Sequence, residues 1–427
     1  MNISNLKIVH SILSSVYRDR AYSNIALNKA LNSNTNCDVA AITHMVYGVL
    51  KFDLQLDYFL CQLTSKPPKP NISTLLKMGI FAIKYTKTPQ YATINNCVEL
   101  SKILFKGGVN SFVNAILRKV DTVKLPTLDD TPNSLSINYS CPKWIVELLI
   151  KEIGIDTAKQ FLNYQPKYDT HIRCNYQKLN SNEFEKILAK TGEVCKSELG
   201  YYVNANQLHS LDKDIFVIQS LSSMLVVHAL GSDNISKVLD LCAAPGGKSV
   251  YFLQNNPKSN ILACDIHKHK IDIILNYAKN MGVGERLNAL KNDATVFNPK
   301  FENSFDIVMC DVPCSGLGLV HSKHEIKFNI SPQDLQNLSK IQSQILENAS
   351  RYVKLGGKIL YSTCTITKIE NESVIKNFLQ NNNCFEIVNI DNQYIKSDID
   401  GCIRLLPHIN NTDGFFATVL KKIDSNY

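Results

Sequence analysis

Over residues 1–125 apolar positions recur every three or four residues. The runs LKIVHSILSSVY, VAAITHMVYGVLKFDLQLDYFLCQL, STLLKMGIFAIKY and ATINNCVELSKIL are examples. That period places one apolar stripe on each of a series of helices. Breaks fall at KPPKPN and at Thr88–Pro89. The expectation is an all-α bundle over 1–128. Residues 129–140 are polar and Pro-containing, and suit a linker. The stretch 141–235 mixes a helix around Trp144–Ile153 with short extended pieces, THIRCNY and GYYVNAN, and reads as a small α+β subdomain. From 236 to 427 the period changes. Short β-branched runs (KVLDLCA, ILACDI, FDIVMCDV, KILYST, FEIVNI, GFFATVLKK) alternate with helical stretches at 267–281, 333–354 and 368–380. This alternation predicts an α/β sheet with helices on both faces.

Charge refines the picture. Residues 1–130 hold 15 Lys/Arg against 8 Asp/Glu, whereas the remainder is nearly balanced at 31 against 30. A basic helical segment joined to a neutral one fits docking on RNA, because phosphate neutralisation supplies most non-specific affinity. A Lys-rich solvated surface would look the same by charge alone. No apolar run reaches the ~18 residues of a membrane span, and the first residues lack the layout of a signal peptide. The 13 cysteines are odd in number, spread out and without a CxxC pair or zinc spacing. Neither a disulfide framework nor structural zinc follows, and reduced thiols in a cytoplasmic protein are the expectation.

In a doubly wound sheet ligands gather where the strands end. The first strand runs into Asp240-Leu241-Cys242-Ala243-Ala244-Pro245-Gly246-Gly247-Lys248-Ser249, whose small residues let a ligand approach the backbone at a helix start. Gly247-Lys248-Ser249 resembles the end of a phosphate-binding P-loop, but that motif requires glycine where Cys242 stands. Asp265 ends the second strand and Asp293 the run LNALKNDA. A single Asp at a strand end is often only a helix cap. Three acids at successive ends after a small-residue turn favour an adenosine-containing cofactor. Two further strands end in Asp311-Val312-Pro313-Cys314-Ser315-Gly316 and Ser362-Thr363-Cys364-Thr365. An isolated cysteine is usually a small buried hydrophobe, yet both of these sit in polar turns at the end where ligands gather.

DLCAAPGGKS, DVPCSGLG and STCT, in this order, resemble the RNA 5-methylcytosine methyltransferases, over roughly residues 141–427. NCVELSKILFKGGVNSFVNAILRKV looks like the NusB-type RNA-binding fold. The combination is the architecture of bacterial enzymes that methylate a cytosine of small-subunit (16S) ribosomal RNA. The resemblance implies a multi-domain chain: an all-α NusB-like N-terminal bundle, a small α+β subdomain, and an α/β Rossmann-like class I methyltransferase domain. It also implies S-adenosyl-L-methionine as cofactor, ribosomal RNA as partner, no DNA or membrane partner, and a monomer. Carried over by position, Cys242, Ala243, Ala244, Pro245, Gly246, Gly247 and Lys248 hold the methionine part, Asp265 the ribose and Asp293 the adenine region. Asp311 contacts cofactor and base, Lys248 lies near the reaction, Cys364 is the nucleophile, and Cys314 assists product release. His408 and Asp413-Gly414-Phe415 match the closing motif. Gln219-Ser220 lacks an acid that the family carries, and His321–Lys327 is a looser version of its loop.

Carbon 5 of cytosine is a poor nucleophile. A thiolate adding to carbon 6 makes carbon 5 electron-rich, and cysteine supplies such a thiolate near neutral pH. A cation such as Lys248 would enlarge the thiolate fraction, and Asp311, protonated, would hydrogen-bond N3. The base must leave its stack to be attacked. By analogy with DNA cytosine methyltransferases, Pro313-Cys314 would carry the nucleophile, whereas the closer resemblance selects Cys364. A transfer-RNA methyltransferase of the same chemistry, or a non-catalytic RNA-binding assembly or antitermination factor, are the competing readings.

Overall fold

The computed structural model describes residues 1–34, 36–106, 108–231, 237–390 and 401–424. The chain forms two compact units, Met1–Asn163 with Val320–Ile330, and Tyr164–Leu319 with Ser331–Tyr427. The 235/236 boundary expected from the sequence lies outside the described residues.

The first unit is helical. It comprises α1 (Ile3–Asp19), α2 (Ser23–Asn32), α3 (Val39–Lys51), α4 (Asp53–Leu63), α5 (Pro70–Tyr85), α6 (Gln90–Phe105), α7 (Asn110–Arg118), α8 (Pro132–Asn138), α9 (Lys143–Ile153) and α10 (Ile155–Asn163). The apolar stripes do converge: Val9, Leu13, Val46, Leu50, Leu76, Ile80 and Leu117 are buried in one core. Inside it Lys77 makes 2.8 Å ion pairs with Asp53 and Asp57, which answers the cost of burying an ammonium. The polar stretch 129–140 contains α8, started by Thr131, whose side chain accepts the N–H of Ser134, and by Pro132 in the first turn.

Val320–Ile330 belongs to this helical unit although its neighbours in sequence do not. Phe328 packs against the bundle core and meets Tyr17 edge-on. Lys327 Nζ donates to the carbonyls of Lys51 (2.9 Å) and Ser140 (2.6 Å), and Glu325 accepts the N–H of Ser23. The Lys51 carbonyl ends α3, so the buried ammonium satisfies a C-terminal carbonyl that has no partner within its helix.

The second unit opens with β1 (Thr170–Cys174), α11 (Ser181–Leu188), β2 (Cys195–Lys196), β3 (Tyr201–Val203), β4 (Phe216–Ile218) and α12 (Leu221–His228). The four strands form an antiparallel sheet in the order β2-β3-β1-β4. There follow β5 (Lys237–Asp240), α13 (Gly247–Asn255), β6 (Asn260–Asp265), α14 (Lys268–Asn280), β7 (Leu287–Lys291) and β8 (Phe305–Asp311). The short α15 (Ile326–Asn329) sits within the helical unit's segment. The chain returns with α16 (Pro332–Tyr352), β9 (Val353–Thr363), α17 (Glu372–Asn381), β10 (Phe385–Ile387), β11 (Cys402–Leu405), α18 (Pro407–Asn410) and β12 (Phe415–Lys422).

The large sheet runs β10-β12-β9-β8-β5-β6-β7, with β11 also paired to β12. β5 to β9 pair in parallel, and β12 runs antiparallel to them. This is the Rossmann-like mixed sheet. Alternation along the strands explains why both faces need cover. Val238, Ile307 and Met309 join one core with α12, α13 and α14, whereas Leu239, Val308 and Cys310 join another with α16 and α17. Strand order reverses between β5 and β8, which is where a doubly wound sheet opens its ligand crevice.

Candidate active site

The turn after β5 is shaped by small residues. Gly246 adopts φ 107°, a conformation that costs glycine little, and its missing side chain faces Tyr277 and Ile274. No side chain caps the start of α13, so its first N–H groups point outward from the turn. The turn is fastened from two sides. The Ala243 N–H donates to the Cys264 carbonyl (2.8 Å), and Gln219 Nε2 donates to the Gly247 carbonyl (3.2 Å). Below it Ser249 Oγ donates to Asp240 Oδ2 at 2.5 Å. Burial, set against this bond, pushes the Asp240 carboxyl up to about 7. Cys242 is held as a neutral thiol, chiefly by burial.

Asp265 and Asp293 stand after β6 and β7. Asp265 Oδ1 accepts the N–H of His267 (3.0 Å), and Lys270 Nζ lies 3.5 Å from its other oxygen. Asp293 Oδ1 accepts both the N–H (2.9 Å) and the Oγ1 (2.6 Å) of Thr295. In both cases the carboxylate orders its own loop.

The neighbouring strands β8 and β9 bring the remaining expected groups together. Asp311 pairs with Ser362 in the ladder, and Ser362 Oγ donates to Asp311 Oδ1 at 2.8 Å. Lys248, from the start of α13, donates to Asp311 Oδ2 at 2.6 Å while its ammonium lies 5.0 Å from the centre of the Phe415 ring. Lys248, Asp311 and Phe415 therefore converge from three elements. The charge of Lys248 is offset by Asp311 rather than directed at a thiol.

Beyond Asp311 and Ser362 the chain reaches the two cysteines. Their sulfurs are 3.1 Å apart, and the Cys364 N–H donates to Cys314 Sγ (3.3 Å). The hydrogen bond to Cys364, together with burial and nearby negative charge, holds the Cys314 thiol well above its ordinary range. Burial and the contact with Cys364 thus favour the neutral thiol at Cys314, and either sulfur can donate across the 3.1 Å contact. Both are unbridged, as are the other cysteines.

The contacts of three residues do not follow from the motifs that contain or neighbour them. Gly318 donates its N–H to the Cys364 carbonyl (3.1 Å), and its carbonyl accepts the N–H of Gly414 (2.9 Å). A Cβ on Gly318 would fall 2.0 Å from the Gly414 oxygen, so glycine is required by close approach. Ser362 and Glu370 are the others. The one available signal was the polar run Glu370-Asn371-Glu372 at the start of α17.

Residues 227–421 match the model of the 16S rRNA methyltransferases RsmB/F, and residues 5–122 match the NusB family. The probable ribosomal RNA small subunit methyltransferase B of Bacillus subtilis (strain 168) is 34% identical over 432 residues, which span 95% of this chain and 96% of that protein. This chain belongs to the ribosomal RNA small subunit methyltransferase B family. A Synechocystis protein of the same designation is 28% identical over 98% of the chain and all of its own length. Among solved structures, PH0851 superposes with a TM-score of 0.82 at 24% identity, covering 97% of this chain and 98% of its own. NSun6 from Pyrococcus horikoshii, determined with SFG, gives 0.57 at 19% identity over 66% of this chain and 99% of its own. The family member described here is thus a ribosomal RNA methyltransferase. Among its described residues no helix is long and apolar enough to cross a membrane.

Proposed function

We propose that this methyltransferase transfers a methyl group from S-adenosylmethionine to carbon 5 of a cytosine in 16S ribosomal RNA, with Cys364 as nucleophile and Cys314 assisting release. The observation that carries the reading is the thiol pair at 3.1 Å, set two and three residues beyond the Ser362–Asp311 contact.

The residues at the strand ends fit the cofactor. The uncapped start of α13 suits a carboxylate. The Ala243–Gly247 wall admits close approach, and Asp265 stands at the next strand end, where a ribose is held in such folds. When bound, S-adenosylmethionine supplies an electrophilic methyl group on a sulfonium.

Cys364 Sγ, as thiolate, adds to carbon 6 of the unstacked base. The new S–C bond pushes the ring electrons towards N3 and leaves carbon 5 electron-rich. Lys248, which donates to Asp311 at 2.6 Å, is the proton source at this end of the cleft, and a proton relayed from it through Asp311 to N3 draws the electrons the same way. After methylation a solvent water takes the carbon-5 proton, and the C–H electron pair re-forms the C5–C6 double bond. The C6–S bond breaks with its pair returning to Cys364 Sγ, and N3 gives back its proton. Cys314, held as a thiol within 3.1 Å, donates a hydrogen bond to the leaving sulfur.

The test combines purified protein, labelled S-adenosylmethionine and unmethylated small-subunit RNA, with mapping of 5-methylcytosine. Label at one cytosine is the expected result. Label only in transfer RNA would discard the ribosomal substrate, and label in neither would discard the proposal.

A further inference from the structure

Glu370 has no part in the chemistry above, yet it is fully buried, an unusual position for a carboxylate. Its oxygens accept four hydrogen bonds, all from neutral donors. Oε1 takes the Ser315 N–H (2.8 Å) and Gln342 Nε2 (3.1 Å), while Oε2 takes Ser315 Oγ (2.6 Å) and Thr367 Oγ1 (2.8 Å). A buried carboxylate held by neutral donors alone is costly, and four well-made hydrogen bonds are what keep it there.

The connections run to both cysteine turns. Ser315 is the residue after Cys314, and Ser315 Oγ also meets Thr365 Oγ1, next to Cys364, at 2.8 Å. Since the Ser315 proton is directed at Glu370, Thr365 is the donor in that contact. Asn371, equally buried, grips the Cys364 turn from its other side. Its Oδ1 accepts Thr363 Oγ1 (2.6 Å), and its Nδ2 donates to the Thr365 carbonyl (3.1 Å). Gln342 completes the frame by donating to the Pro313 carbonyl (2.9 Å) as well as to Glu370.

We infer that Glu370, with Asn371, is the positioning residue that fixes the separation of Cys314 and Cys364, and thereby the rate at which the methylated base is released. The inference rests on the proposed roles of the two cysteines. The Ser362–Asp311 and Gly318–Cys364 contacts also tie the two turns, but the Glu370–Asn371 frame is what holds Ser315 and Thr365, the residues directly after the two cysteines. Glu370 and Asn371 are fully buried and act through the two turns.

The test reads the thiol geometry directly. Diamide takes two hydrogens from a thiol pair, forming one S–S bond and becoming the hydrazine. The rate at which the Cys314–Cys364 bridge forms in the full chain is followed by peptide mass spectrometry. In Glu370→Gln with a native circular dichroism spectrum, bridging is expected to slow at least tenfold. In the same variant kcat should fall about tenfold with KM for RNA within twofold, and the fraction of RNA trapped as covalent adduct should rise. A bridging rate within twofold of the unaltered chain overturns the inference. Should Glu370→Gln not fold, Ser315→Ala decides: it keeps the N–H contact, removes the hydroxyl link, and should slow bridging at least threefold, no change being the overturning result. Bridging needs neither RNA nor cofactor, so the bridging rate tests the frame whether or not the unaltered chain methylates cytosine.

Discussion

Cys314 and Cys364 sit 50 positions apart in the chain with their sulfurs 3.1 Å apart, and the backbone N–H of one donates to the sulfur of the other. The two thiols are therefore not equivalent. With Cys314 kept protonated, Cys364→Ala is expected to abolish methylation outright. Cys314→Ala is expected to form the S–C6 bond but release product slowly, which leaves a protein–RNA adduct on a denaturing gel. The reverse pattern would exchange their roles.

Gly318 offers a steric prediction. An added methyl would meet the Gly414 oxygen at 2.0 Å and the Cys364 carbonyl at 2.8 Å, both backbone atoms that cannot swing aside. Gly318→Ala should displace the Cys364 turn and lower kcat at least ~10-fold, since misplacements of about 1 Å at a reacting group cost ~100-fold. Initial rates at saturating RNA check this, and a rate near that of the unaltered chain would show that the turn tolerates the shift.

Asp240 ties stability to pH. Its carboxyl is raised by burial to about 7, above the 3.8 it has when unfolded. The folded state therefore binds more protons than the unfolded state between these values, and the contribution to stability is full below pH 4 and lost as pH rises through 7. About three pKa units correspond to ~4 kcal/mol at most. Thermal melts from pH 5 to 8 should show a falling trend that Asp240→Asn flattens. Parallel slopes for the two proteins would refute the assignment.

In the helical unit, Lys327 is fully buried and its ammonium lowered to about 8, by burial first, yet it donates to two carbonyls. Lys327→Met would leave both unpaired, at ~1–3 kcal/mol for each buried acceptor. The melting transition of the helical unit should drop, and limited proteolysis should cut within 320–330 sooner than in the unaltered chain. Equal cleavage rates would mean that Phe328 and the Glu325–Ser23 contact hold the segment without Lys327.

The strand-end rule carried the sequence reading far because it depends on periodicity and chain order. The parallel strands, the small-residue turn at 242–248 and the meeting of Cys314 with Cys364 all follow from them. Other features escaped for physical reasons. β11 was missed because Arg404 interrupts its short apolar run. The structure buries that charge, with Nη2 donating to the Ile366 carbonyl at 2.9 Å. β9 begins at Val353, earlier than KILYST indicated, because Gly356-Gly357 looks like a break yet lies within the strand. Glu370 looked like an ordinary residue at a helix start, since four converging donors from separate elements leave no mark on local sequence.

The assignment of Val320–Ile330 to the helical unit means that the chain enters that unit twice. The unit is consequently not a bead that can be cut from one end of the string. A fragment stopping at Asn163 would lack Glu325, Lys327 and Phe328, and the remainder would carry an orphaned strap immediately after the Cys314 turn. Swapping such a unit between relatives would require exchanging the strap with it, although more than 150 positions separate the two stretches.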